Sequence, residues 1–216
     1  MQIQELVIET ARHSELQEFY SKVLEMPVSN LEEGNYVVKA GESNLIFRKT
    51  VVGEPVYHFA FLIPSNKIEE ARDWLRKKVE VLWMGEYKSE IADFASWNEK
   101  SVYFFDPAGN VVELISRFDL VNGSEKPFSS NQILSISEVG IVFPEEEFEE
   151  RANAFLKKYQ LSYFLKQPPL PKFRAVGDDQ GLFIIVPANR NWYPTDKMAG
   201  IFPMEVVFEK NLRFKV

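Results

Sequence analysis

Tyr57-His58-Phe59-Ala60-Phe61-Leu62-Ile63-Pro64 reads as a β-strand closed by proline, and eighty residues later Glu138-Val139-Gly140-Ile141-Val142-Phe143-Pro144 repeats it without a gap. The segment after each strand also repeats. Ser65 or Asn66 stands where a helix cap belongs, and Ile68, Ala71, Leu75 and Val79 recur at helical spacing. After the second copy, Phe148, Ala152, Phe155, Leu156 and Tyr159 make the same apolar stripe. The N-terminus carries a third copy: strand Ile3 to Thr10, then a helix capped by Ser14, with Gln17 completing a capping box and Leu16, Phe19, Tyr20, Val23 and Leu24 facing inward.

Short strands separated by turns come after each helix. Tyr36 to Lys39 and Leu45 to Lys49 flank Ala40-Gly41-Glu42-Ser43, which has the length and glycine content of a hairpin loop. Val102 to Phe105 and Val111 to Ile115 flank Asp106-Pro107-Ala108-Gly109-Asn110, where proline sets φ early in the turn and glycine lets the chain leave it. Phe173 to Val176 and Leu182 to Val186 flank residues 177–181 in the same way. Each unit is therefore β-α-β-β-β. The polar, turn-rich stretch 119–131 predicts a boundary between a domain at 1–120 and a second, degenerate one at 132–216. Phe202 to Glu209 reads as the opening strand of a fourth unit that the remaining residues are too few to finish. That leaves an edge to cover, which predicts a homodimer pairing through Met204 to Phe208.

The chain has 216 residues, 45% of them hydrophobic and 14% aromatic, which is enough for a folded core. With 25 Lys and Arg against 32 Asp and Glu, its formal charge is −7, and it lacks the basic stripe that nucleic acid binding requires. There is no cysteine, which excludes disulfides, zinc–thiolate sites and thiol nucleophiles and fits a cytoplasmic location. No signal-peptide pattern opens the sequence, and no apolar run reaches membrane-spanning length, so a membrane partner is not expected.

Phe19-Tyr20-Ser21-Lys22-Val23-Leu24-Glu25-Met26-Pro27-Val28, then His58-Phe59-Ala60-Phe61, then Tyr103 through Ile115 with its Asp106-Pro107-Ala108-Gly109-Asn110 turn, form an ordered set of motifs. In this set, residues 1–118 resemble the vicinal oxygen chelate superfamily, the glyoxalase/bleomycin resistance/dioxygenase group. Residues 132–216 look like a decayed further copy. The resemblance implies an α+β fold in which paired β-α-β-β-β modules form cupped mixed sheets with helices on the outer face. It also implies a divalent ion on the concave side. Carried over by position, the family's ligands fall on His58, on Glu113 and, where a histidine is usual, on Glu5. The fourth ligand of glyoxalase-type members has no counterpart, since Leu45-Ile46-Phe47-Arg48-Lys49 offers neither carboxylate nor histidine, which argues against glyoxalase I activity.

Strand parity bears on the same residues independently. Leu6 and Ile8, Phe59 and Phe61, and Val112 and Leu114 suit a helix-covered face, which leaves Glu5, His58 and Glu113 for the other. Two carboxylates and an imidazole suit manganese, iron, nickel or zinc rather than calcium. The same residues also fit a hydrogen-bonded strand histidine, a carboxylate at a wet rim and a relic of the fold family. Glu138 falls opposite His58 under the eighty-residue shift, but aligning Gly181 with Gly109 puts Ile185 where Glu113 stands, so no second metal site is expected. The loop Asn189-Arg190-Asn191-Trp192-Tyr193-Pro194 sets an arginine beside aromatics, which suits an anion, a ring or packing between domains.

Two functions remain compatible with these residues. One is a metal-dependent enzyme of lyase, isomerase or transferase type, acting as a Lewis acid on a small oxygen-chelating substrate. The other is a metal-free protein that sequesters a small molecule, as the bleomycin-resistance branch does, with Trp83, Tyr87, Phe94 and Trp97 as cavity walls or as ordinary core. A ring-cleaving dioxygenase needs a further acid–base histidine, and only His13, beside a helix start, is left. No nucleophile–base pair or other catalytic constellation stands out.

Overall fold

The computed structural model describes residues 1–209 and 211–215. The first unit is β1 (Ile3–Thr10), α1 (His13–Glu18) running into a π-helical turn at Phe19–Val23, β2 (Val28–Asn30), β3 (Tyr36–Ala40) and β4 (Ser43–Lys49). The second is β5 (His58–Ile63), α2 (Ile68–Leu75), β6 (Ala92–Phe94), β7 (Glu99–Phe105) and β8 (Val111–Arg117). The third is β9 (Ser135–Phe143), α3 (Phe148–Tyr159), β10 (Arg174–Asp178) and β11 (Gly181–Pro187), its first short strand reduced to a bridge between Tyr163 and Val176. A hairpin of β12 (Met204–Phe208) and β13 (Leu212–Lys215) ends the described chain.

The expected helix caps differ in detail. α1 starts at His13 without a side-chain cap, and Gln17 donates to Asn30 instead of closing a capping box. α2 starts at Ile68, also without a side-chain cap, while Asn66 is held by the backbone of Ser124. Packing of the apolar stripes against the sheet carries these short helices, as expected where isolated helices are marginal.

All thirteen strands belong to one sheet. β5 pairs antiparallel with β9, Phe59 facing Val139 and Ala60 facing Glu138. β1 pairs antiparallel with β12, Leu6 facing Val206. The second and third units therefore share one half of the sheet, and the first unit shares the other with β12 and β13. Strand pairing thus runs across 119–131, where the sequence predicts two lobes at 1–120 and 132–216. β9 is buried along its whole length and takes neighbours on both edges, β5 on one and β11 on the other. The 119–131 segment docks on α2: the Ser65 amide donates to Asn122, the Phe128 amide donates to Glu70, and the Phe128 ring meets Trp74 edge-on. The halves join where Ile3 faces Ile136, with Ser43 Oγ donating to the Ile3 carbonyl and accepting from the Ile136 amide. Met204 to Phe208 has both edges taken, by β1 and β13, and offers no free edge for pairing with a second copy.

Side-chain parity divides the two faces as the alternation predicts. Leu6, Ile8, Phe59, Phe61, Val112 and Leu114 pack with the apolar residues of the helices in one large core. On the opposite face of the second and third units, Tyr103, Val111, Ile184 and Trp192 belong to a separate cluster. Gly140 makes that face possible, because a Cβ there would lie 2.5 Å from Trp192 and 3.2 Å from the His58 carbonyl. Among the described residues no helix is long and apolar enough to cross a membrane.

Candidate metal centre and ligand cavity

Ala60 is flanked in register by Glu113 on β8 and by Glu138 on β9, and His58 lies two residues before it on the same face of β5. A methyl group at the centre leaves room for three polar side chains to meet. His58, Glu113 and Glu138 each bring a ligand atom into a group whose members all lie within 4.8 Å of one another, and all three residues are buried. His58 Nε2 and Glu113 Oε2 are 3.7 Å apart. Ligands bound at about 2.1 Å can be up to about 4.2 Å apart across one ion, so this pair already brackets a transition metal. Glu5 is not among them. It stands on β1 facing Val207 and Asn44, in the other half of the sheet.

Burial sets the protonation of the trio. His58 Nδ1 lies 3.0 Å from the Val111 carbonyl, an acceptor, so it carries the proton and Nε2 presents a lone pair. Burial pushes the imidazole down to about 4, so it is neutral near pH 7. Glu113 is pushed up to about 8 by burial and by the nearby Glu138 charge, with Ser101 and Tyr103 opposing the rise. Burial also raises Glu138, against the pull of Arg117, and pushes Glu99 up to about 9. Fully buried Arg117 pairs with both Glu99 and Glu138. One oxygen of Glu138 accepts from Arg117. Without a metal, Glu113 and Glu99 hold protons near neutral pH; ionised together with Glu138 they would exceed Arg117 by two negative charges, which a divalent cation could balance in place of the two protons. The donor set and the charge therefore both fit a divalent transition metal.

The trio lines a cavity of about 330 Å³ with Phe94, Trp97, Phe173, Trp192, Tyr193 and Arg190 on its other sides. Trp192 lies 5.2 Å from the His58 ring. Of the aromatics singled out in the sequence, Phe94 and Trp97 line the cavity, Tyr87 packs against Phe94, and Trp83, 63% exposed, borders an adjacent open cleft. His13, the first residue of α1, meets Tyr36 edge-on and does not line the cavity.

Glu138 was visible in the sequence as the residue eighty positions after His58. Antiparallel pairing centred on Phe59 and Val139 brings such equivalent positions together. The position equivalent to Glu113 is Ile184 rather than Ile185, since Ile184 faces Gly140 as Glu113 faces Ala60. The two turns differ in length, joining Phe105 to Val111 in one unit and Asp178 to Gly181 in the other, so their glycines do not correspond.

No protein-family model and no curated protein matches the chain. Among solved structures, a candidate dioxygenase from Bacillus subtilis aligns with a TM-score of 0.58 at 17% identity, covering 86% of this chain and 63% of that one. A glyoxalase I variant from Zea mays aligns with a TM-score of 0.56 at 14% identity, covering 92% of this chain and 70% of that one. The chain thus spans less than two thirds of the Bacillus protein's length. At these identities the likeness establishes the fold.

Proposed function

We propose that this chain, whose fold is that of the vicinal oxygen chelate superfamily, is a metal-dependent enzyme acting on a small oxygen-chelating substrate, with His58, Glu113 and Glu138 as the protein ligands. The observation that carries this reading is a buried imidazole whose Nδ1 is held by the Val111 carbonyl, leaving an Nε2 lone pair within reach of Glu113 and Glu138. A divalent ion held there would supply Lewis-acid polarisation of substrate oxygens. His58 is oriented by its bond to the Val111 carbonyl, and Glu138 by Arg117. The aromatic walls would give a bound substrate an apolar surface on several sides. Ring-cleaving dioxygenase chemistry with a histidine acid–base is disfavoured, because His13 is elsewhere.

The Arg117 ion pairs favour the second reading, a metal-free binding protein of the bleomycin-resistance kind, since a guanidinium already satisfies one oxygen of Glu138. Metal content separates the two. Purified without affinity tag or chelator and reconstituted with manganese, nickel or zinc, the wild type is expected to hold one ion per chain and to melt higher when loaded. His58→Ala, Glu113→Gln and Glu138→Gln should each lose both effects, and Glu5→Gln neither. Wild-type protein that binds none of these ions above the level of His58→Ala would overturn the metal-dependent reading and leave the binding protein.

A further inference from the structure

Arg190 is the cation in the cavity that the metal site does not use. It is partly buried, its guanidinium lies 5.2 Å from the centre of the Phe173 ring, and among the described residues it makes no ion pair with a carboxylate. Every other arginine of the cavity region is committed: Arg117 is held by Glu99 and Glu138, and Arg174 by Glu149. A desolvated guanidinium without a counter-ion is costly, and its planar fork matches a carboxylate with two parallel hydrogen bonds.

The surroundings narrow the anion further. Trp97, Phe173, Trp192 and Tyr193 give the cavity flat apolar walls, and Gln167 fixes Trp97 by accepting from its indole N–H at 3.1 Å. At roughly 30 Å³ of liquid per water molecule, 330 Å³ is the space of about eleven waters, enough for one aromatic ring with a short side chain. Among the described residues that line the cavity, Arg190 is the one cation, and with Glu113 holding its proton near neutral pH it matches a monoanion better than a dianion such as a phosphate monoester.

We propose that the cavity takes a small aromatic monocarboxylate, its carboxylate held by Arg190 and its ring against the aromatic walls. This deepens the reading of the cavity as a substrate site and depends on that reading for its location, but it does not depend on the ion.

The test is calorimetric titration of wild type and Arg190→Gln, each metal-free and loaded with manganese, using phenylacetate, its neutral counterpart phenylacetamide, and cyclohexylacetate. Wild type should bind phenylacetate about tenfold or more tightly than phenylacetamide, as expected for a charge-assisted bond lost in the amide. Arg190→Gln should abolish that preference while keeping the metal content and melting temperature of wild type. Cyclohexylacetate should bind more weakly than phenylacetate. Equal binding of acid and amide to wild type, or a preference that survives in Arg190→Gln, overturns the proposal without needing the variant and the wild type to agree in stability. Equal binding of cyclohexylacetate overturns its aromatic part. Failure to take up manganese, nickel and zinc while phenylacetate still binds through Arg190 removes the metal-dependent reading alone; an ion bound without phenylacetate removes this proposal alone.

Discussion

Where β5 meets β9, Phe59 faces Val139; where β1 meets β12, Leu6 faces Val206. Reading outward from these two centres puts the halves of the sheet in one register. His58 then corresponds to Glu5, Ala60 to Val7, Glu138 to Glu205 and Gly140 to Val207. Glu113, facing Ala60, corresponds to Ile46, which faces Val7. Both halves thus carry polar residues at equivalent places, yet among the described residues only one of them gathers a donor trio. In the second half Ala60 and Gly140 leave space, whereas Val7 and Val207 fill it in the first. Glu205 is ringed by Arg48, Arg213 and Lys215 and is held below the usual carboxylate range, first of all by its bond to Arg48. Glu138 has one guanidinium to share with Glu99, and burial raises it instead. An acidic residue in this register joins the buried His/Glu/Glu group only where space and few neighbouring cations accompany it.

The largest difference between the halves should come from removing their arginines. Arg117→Met leaves Glu99 and Glu138 buried without a counter-charge and should cost the metal-free protein about 3–5 kcal/mol. Arg48→Met, at a side chain 43% exposed, should cost under about 1 kcal/mol. Urea denaturation of both variants measures this, and similar costs would mean that the two acidic clusters are electrostatically alike.

Next in size is the glycine. Gly140→Val gives the second half the residue of the first and drives a side chain into Trp192, whose nearest atom is 2.5 Å from the new Cβ position. The expected loss is about 1–3 kcal/mol, together with loss of ligand binding in the cavity. A variant that keeps wild-type stability and binding would show that Trp192 can move aside without consequence.

The module plan was legible in the sequence because strand and helix periodicities, the prolines of Pro64 and Pro144, and the glycine turns all repeat. The faces were legible too, since alternation assigns Phe59 and Phe61 to the helices and His58 to the cavity. Which unit pairs with which was not. Antiparallel pairing of β5 with β9 and of β1 with β12 depends on complementary edges far apart in the chain, and adjacency in sequence suggests the first and second units instead. This one long-range choice brings Glu138 rather than Glu5 beside His58 and Glu113. Arg117 and Ser101 were invisible for a related reason: their burial depends on a strand on each side that local pattern does not specify.

The two halves should also answer differently to pH. Glu113 at about 8 and Glu99 at about 9 have folded values raised above the ordinary carboxylate value, so their contribution is full in acid and is lost as pH rises through those values. His58, depressed to about 4, contributes fully above its ordinary value of 6.5 and is constant beyond it. Between pH 6.5 and 9 the metal-free protein should therefore become less stable, by at most about 1.4 kcal/mol per pH unit for each carboxylate. Loading with a divalent ion should flatten the part of the slope that Glu113 contributes, since a ligating Glu113 is ionised in both states. Melting curves of chelator-treated protein that are flat or rising over this range would count against two buried, proton-holding carboxylates.

The smallest effect belongs to the half that lacks the cavity. Glu205→Gln removes a carboxylate from among three cations whose side chains are 43%, 62% and 69% exposed. Each can turn to water when its partner is lost, and glutamine keeps an oxygen to accept a hydrogen bond, so the cost should stay within about 1 kcal/mol. Because Glu205 is low rather than raised, its contribution is present at neutral pH and lost only as acid protonates it, so the variant should differ from wild type near pH 7 and converge with it in acid. Metal content should be unchanged, alone or combined with Glu5→Gln. A fall in metal content in the double variant would place a second ion in the first half, and the shared register would then describe two sites rather than one site and its filled counterpart.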